Sequence, residues 1–170
     1  MNDKIALGLD LSYNPNFNYV NWVTTKSGQS VFSRYDRRTV ENPFDAKCTF
    51  TNLMGVMVVL RHYWSGRRNK SFHVLKLDRN LADYIGSAVP GLDRNYNVFN
   101  IDLIYTWQFA PGSTLSLSCK EAAETCESSY TQRYNKNLTG ILSAPQNTSL
   151  SVKGLYYLDY FDLKKTHRKS

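Results

Sequence analysis

The chain has 170 residues, room for one domain, with 42% hydrophobic residues, 14% aromatic residues and a formal charge of +7. No run of about 18 apolar residues occurs, which excludes a helical membrane span. The basic residues are spread between connections and a terminal tail rather than gathered on one predicted surface, so no nucleic-acid partner is expected.

Taken in chain order, Ile5, Leu7, Leu9, Leu11 and Tyr13 alternate with Ala6, Gly8, Asp10 and Ser12. Side chains alternate with period two in an extended chain, so a strand is predicted from Lys4 to Tyr13, ended by Pro15. Asn14 to Arg37 is rich in Asn, Ser, Thr and Gly and reads as a long loop or a hairpin extension turning near Lys26-Ser27-Gly28. Alternation resumes at Arg38, with Val40, Phe44, Ala46, Cys48 and Phe50 opposite Thr39, Glu41, Asp45, Lys47, Thr49 and Thr51. Pro43 interrupts that run; a proline gives nothing to a ladder, so a bulge or an edge is expected there. A turn at 52–55 leads to a strand over Val56 to Trp64. Ser65 to Asn95 is a long connection carrying a short β-like piece, Phe72 to Leu77, and punctuation at Gly86, Pro90 and Gly91.

The clearest pattern is Val98 to Ser113, VFNIDLIYTWQFAPGS. Phe99, Ile101, Leu103, Tyr105, Trp107 and Phe109 share one face; Asn100, Asp102, Thr106 and Gln108 share the other, with only Ile104 breaking the polar set. This suits lipid on one side and a polar lumen on the other, and a transmembrane strand takes about 9 to 11 residues. Ala110-Pro111-Gly112-Ser113 reverses the chain. Leu115, Leu117 and Cys119 against Ser116, Ser118 and Lys120 make a fifth strand. Glu121 to Gln146 is a polar connection, and Asn147 to Tyr160 is a sixth strand with Leu150, Val152, Gly154, Tyr156, Leu158 and Tyr160 on one face.

The connections alternate: long, tight, long, tight, long. Outer-membrane barrels have short periplasmic turns and long extracellular loops, so the expected fold is all-β, an antiparallel up-and-down meander of about six long strands. Six strands are fewer than the eight of the smallest membrane barrels, and Met1-Asn2-Asp3-Lys4 enters the first strand without a leader pattern. The expectation is therefore an incomplete transmembrane β-barrel, residues 1–163 forming its last part and 164–170 a basic tail.

Several segments resemble the C-terminal barrel of domain-of-unknown-function family 5916: Asp36-Arg-Arg-Thr-Val-Glu-Asn42, Arg61-His-Tyr-Trp64, Asn97 to Ser113, Ala144-Pro-Gln-Asn147 and Leu155-Tyr-Tyr-Leu-Asp-Tyr160. The resemblance implies an outer-membrane protein of the Bacteroidota type, in which a module similar to family 9 carbohydrate-binding domains precedes the barrel. That module is absent here, so a glycan partner is implied only through the parent protein. The family offers no catalytic residues to carry over.

On this reading Ile5, Leu7, Leu9, Leu11, Phe99, Ile101, Leu103, Tyr105, Trp107, Phe109, Leu115, Leu117, Leu150, Val152, Tyr156, Leu158 and Tyr160 face lipid. Asp10, Lys47, Arg61, Asp102, Lys120, Lys153 and Asp159 face a lumen, where opposite charges pair across strands. Tyr63 and Trp64 are expected in an interfacial aromatic girdle. No motif for an enzyme, a cofactor or a metal is present: His62, His73 and His167 lack ligand spacing, and Cys48, Cys119 and Cys126 form no C-x-x-C pair. The expected partners are the outer-membrane bilayer and either missing N-terminal strands or a second copy of the chain. The rival is a soluble, lipocalin-like barrel that turns the same apolar face inward onto an apolar ligand.

Overall fold

The computed structural model describes residues 4–85 and 92–158. It is one antiparallel sheet built from β1 (Ile5–Leu9), β2 (Ser12–Lys26), β3 (Gln29–Thr51), β4 (Met54–Leu75), β5 (Leu81–Asp83), β6 (Arg94–Ala110), β7 (Ser113–Glu127) and β8 (Asn147–Leu155), with one helix, α1 (Tyr134–Leu142), between β7 and β8. The order is β1-β3-β4-β6-β7-β8, with β2 also on β3 and β5 on β4. Among the described residues β8 does not return to β1, so the sheet is open.

The eight strands lie along six lines, because β5 lies on the β6 side of β4, and β1 and β2 are one run beside β3. Leu9 pairs with Phe44 and Ser12 with Glu41, so the register does not shift between them. Pro43 causes the gap. Its carbonyl accepts from the Asp10 N–H at 3.0 Å, but it has no N–H to return. The expected bulge is absent: Pro43 sits on the second line, directly opposite Arg61.

Most strands run further than their alternation indicates; β8 instead ends at Leu155, and Tyr156 to Leu158, expected within it, are not strand. Most of Asn14 to Arg37 is strand, closed by the two-residue turn Ser27-Gly28, both with positive φ, as hairpin twist favours. The Phe72 to Leu77 piece is largely the continuation of β4, which reaches Leu75. The connection 121–146 is also revised, since β7 continues to Glu127 and α1 follows. Gly86, Pro90, Gly91, Asp159, Tyr160 and the tail lie outside the described residues.

Register assembles the two faces. One row reads Ile5, Cys48, Val56, Tyr105, Leu117 and Val152 across all six lines; the next reads Leu7, Ala46, Val58, Leu103, Cys119 and Leu150. Leu9, Phe44, Leu60 and Ile101 continue this face toward α1, and Met54, Trp107 and Leu115 continue it toward the tight turns. Trp107, Phe109 and Tyr156 make ring contacts there. On the opposite face Gly8, Asp45, Val59, Asp102, Lys120 and Ser149 form a row.

Little of this apolar surface is covered. Leu7 is 70% exposed, Leu150 75% and, in the middle of the sheet, Leu103 still 40%. The buried cluster is Phe99, Ala123 and Ile141, where α1 meets β6 and β7. A single sheet has no second layer to pack against, so this cluster forms where the helix folds back, while Val31, Ser33, Tyr35 and Val59 are buried outside it.

Candidate functional site

Two polar constellations stand out, one on each face. On the polar face, Asp102 of β6 holds a cation with each carboxylate oxygen: Arg61 Nη1 from β4 at 3.2 Å and Lys120 Nζ from β7 at 3.5 Å. The three residues occupy adjacent lines, so the pairs tie three strands together. Asp10, Lys47 and Lys153 share that face by strand parity, with Lys47 opposite Met57 and Lys153 opposite Ser116.

The second constellation lies under α1, one row beyond the Leu60–Ile101 row. Tyr134, Leu138 and Ile141 are spaced to face the sheet, and Pro145 follows the helix end. Two hydrogen-bonded chains fix the helix. Trp64 Nε1 donates to Asn95 Oδ1 at 2.7 Å, Asn95 Nδ2 donates to Asn137 Oδ1 at 2.7 Å, and Asn137 Nδ2 donates to the carbonyls of Thr131 and Arg133. Asn42 Nδ2 donates to the Tyr134 hydroxyl, which also shares a hydrogen bond with His62 Nδ1 at 3.2 Å. His62 Nε2 and Asn97 Oδ1 are buried without hydrogen-bond partners. A cleft of about 350 Å³ opens beside this network, lined by groups such as Thr125, Glu127, Lys136 and Ser143.

This helix changes the surroundings of two residues singled out from sequence, Phe99 and Trp64. Phe99 lies in register with His62 on the apolar face, but Ile141 and Ala123 cover it and leave it 4% exposed. Trp64 does not belong to an exposed girdle: it is 2% exposed and bonded to Asn95. Tyr63 points to the other face, its ring edge-on to Tyr96. Asn137, which heads an Asn-Leu-Thr glycosylation pattern, is 3% exposed and fully engaged.

Beyond α1 the hairpin β2–β3 is pinned by Asp36. It accepts from the Asn18 N–H at 3.0 Å and pairs with Lys70 Nζ at 2.8 Å. The Lys70 hydrogen bond, the largest influence, holds this carboxyl below its ordinary pKa. Asn18 has φ of 58°, and the register of β2 against β3 shifts by one between Asn16 and Tyr19. The Asp36 contact meets the backbone at that irregularity. Neither this contact nor the α1 network follows from the strand periodicity; the spacing of Tyr134, Leu138 and Ile141 is the one local signal for the latter.

Among the described residues no group of three His, Cys, Asp or Glu side chains is placed to hold a metal, and no helix is long and apolar enough to cross a membrane. Cys48, Cys119 and Cys126 are free thiols. No curated protein and no solved structure matches the chain. The profile of a domain of unknown function, DUF5916, matches residues 1–167, nearly the whole length. The chain therefore belongs to family DUF5916.

Proposed function

We propose that the chain is a non-catalytic segment of an outer-membrane β-barrel, with its apolar face on lipid and its charged face toward a water-filled lumen. The observation that carries this reading is the set of apolar rows crossing all six lines, exposed at both edges and partly exposed across the middle of the sheet, opposite the row that holds Asp102 and Lys120. From Phe109 to Ile101 the band takes nine residues of β6. That matches the roughly 9 to 11 residues of a membrane-crossing strand. The tight turns at Asn52-Leu53 and Pro111-Gly112 share one end, and the long hairpins and α1 share the other, the asymmetry typical of such barrels.

The open edges define the partner. An edge strand presents alternate N–H and C=O groups outward, and each one left unpaired in hydrocarbon costs several kcal/mol. The edges at β1 and β8 are therefore closed by further strands of a parent barrel or by a second copy of the chain. Glycan handling, implied by resemblance alone, would reside in a module that these residues do not include.

One observation favours the soluble rival. Helix α1 sits on the apolar face at the end of the sheet, where a lid would sit over an apolar ligand. The readings separate on refolding the chain with lipid vesicles. The membrane reading expects a carbonate-resistant, protease-protected species that runs above monomer size on an unheated gel. A chain washed from vesicles by carbonate overturns it, and a heat-modifiable protease-resistant monomer overturns the need for partner strands.

A further inference from the structure

His62 is 1% exposed, sealed into the seam between the sheet and α1. Its place on β4 sets it between Asn42 of β3 and Phe99 of β6, on the face that the helix covers. The Tyr134 ring of α1 stands edge-on to the imidazole, with ring centres 5.4 Å apart, and the Tyr134 hydroxyl is 3.2 Å from Nδ1. Nε2 is buried without a hydrogen-bond partner. The His62–Phe99 row lies one step beyond Leu60 and Ile101, outside the apolar band.

A cation buried at an apolar contact is costly unless an anion faces it. The groups that face His62 from the elements packed on it are neutral: the Tyr134 phenol from α1, the Asn42 amide from β3, and Phe99 with the Asn97 amide from β6. On the same face Arg38 of β3 is two rows away, and Arg133 and Lys136 of α1 are exposed cations that do nothing to favour a charged ring. The carboxylates of this face, Glu121 and Glu127, are on β7, beyond β6 and in other rows. Burial is accordingly the larger influence on His62 and lowers its pKa, against a smaller opposing pull from Asn97.

We propose that His62 is an acid-release latch for α1: proton uptake by the imidazole undocks the helix and uncovers Phe99 and Ala123. Above about pH 6.5, the ordinary value for an imidazole, the ring is neutral whether α1 is docked or free, and docking has its full strength. As the pH falls below that value the free form takes up a proton that the docked form resists. The docking equilibrium then drops about tenfold per pH unit, until the docked ring is protonated as well. The rest of the attachment is small, the Ile141 contacts and the Asn95–Asn137 bond. At nine residues α1 is also shorter than the roughly 12–15 that an isolated helix needs, so release melts it. The latch acts on the same cover whether the apolar face meets lipid or an apolar ligand, and it does not require the membrane reading.

The test uses the 170-residue chain in nonionic detergent, carrying Trp22→Phe and Trp107→Phe. Trp64 then reports on α1, because it is 2% exposed and bonded to Asn95, which holds Asn137. From about pH 7.5 to about 4.5 its emission is expected to move to the red and become open to acrylamide quenching, while circular dichroism still shows the sheet. With His62→Gln added, this response is absent. Emission unchanged across the range, or the same response with and without His62, overturns the proposal. If His62→Gln leaves Trp64 exposed already at the upper pH, proton NMR of the chain with His62 intact decides. Loss of α1 amide protection in step with titration of the His62 ring upholds the latch, and His62 titrating while α1 stays protected overturns it.

Discussion

Replacing Leu117 by Arg, with Ser118→Arg as its control, tests the sidedness of the sheet at a single depth. Leu117 lies between Tyr105 and Val152 on the apolar face, and Ser118 lies between Ile104 and Ser151 on the other. Leu117 is four residues from Ser113 at the tight turn and four from Glu121, where its face turns charged. At about 3.3 Å per residue and a tilt near 40°, those four residues correspond to about 10 Å of depth on either side, close to a bilayer midplane. An arginine at the midplane of the lipid face costs about 2–4 kcal/mol, whereas a lumenal one is tolerated. With a urea dependence of about 1–3 kcal/mol per molar, Leu117→Arg moves the unfolding midpoint down by about 1–2 M or more, and Ser118→Arg moves it by a few tenths. The assay is urea unfolding in vesicles, followed by tryptophan fluorescence. Equal shifts for the two neighbours would refute the sidedness.

Ile141→Ala removes the helix's buried anchor on Phe99 and Ala123 and should weaken α1 docking by about 2–4 kcal/mol. Amide exchange checks this: residues 137–142 should lose protection while β6 keeps its own. Gly112 has φ of 74°, and a Cβ there would lie 2.9 Å from that of Tyr157. Gly112→Ala should therefore cost about 1–2 kcal/mol in urea unfolding; an unchanged midpoint would contradict the turn geometry.

What could be read from the residues depended on whether pairing left a periodic trace. Phe99 to Phe109 alternate so cleanly because one side of β6 is apolar and the other polar, and the strand was legible almost end to end. Asn16, Asn18 and Asn21 among Phe17, Tyr19 and Trp22 obey no such period. That stretch is extended because it pairs with β3 through two register shifts, a tertiary cause with no local signature. The effect of Pro43 was half legible: the lost donor is chemistry of the residue, but its consequence falls on the neighbouring strand, as the gap at Asp10 and Leu11.

Helix α1 is only nine residues long and places a polar Asn137 on its inner side, so its hydrophobic stripe is too short to separate from a loop. Asn137 is at home there because Asn95 and two carbonyls satisfy it.

The most direct test of the account uses Trp107 as a reporter, in a variant with Trp22 and Trp64 replaced by Phe. Trp107 lies on the apolar face and is 41% exposed. In vesicles of lipids brominated along the acyl chain, the account predicts strong quenching of Trp107 fluorescence, deepest with bromines near the headgroup end of the chain, where barrel aromatics gather. Fluorescence unaffected by brominated lipid at every depth, in a chain that still shows β-sheet circular dichroism, would mean that the apolar face is turned inward and would contradict it.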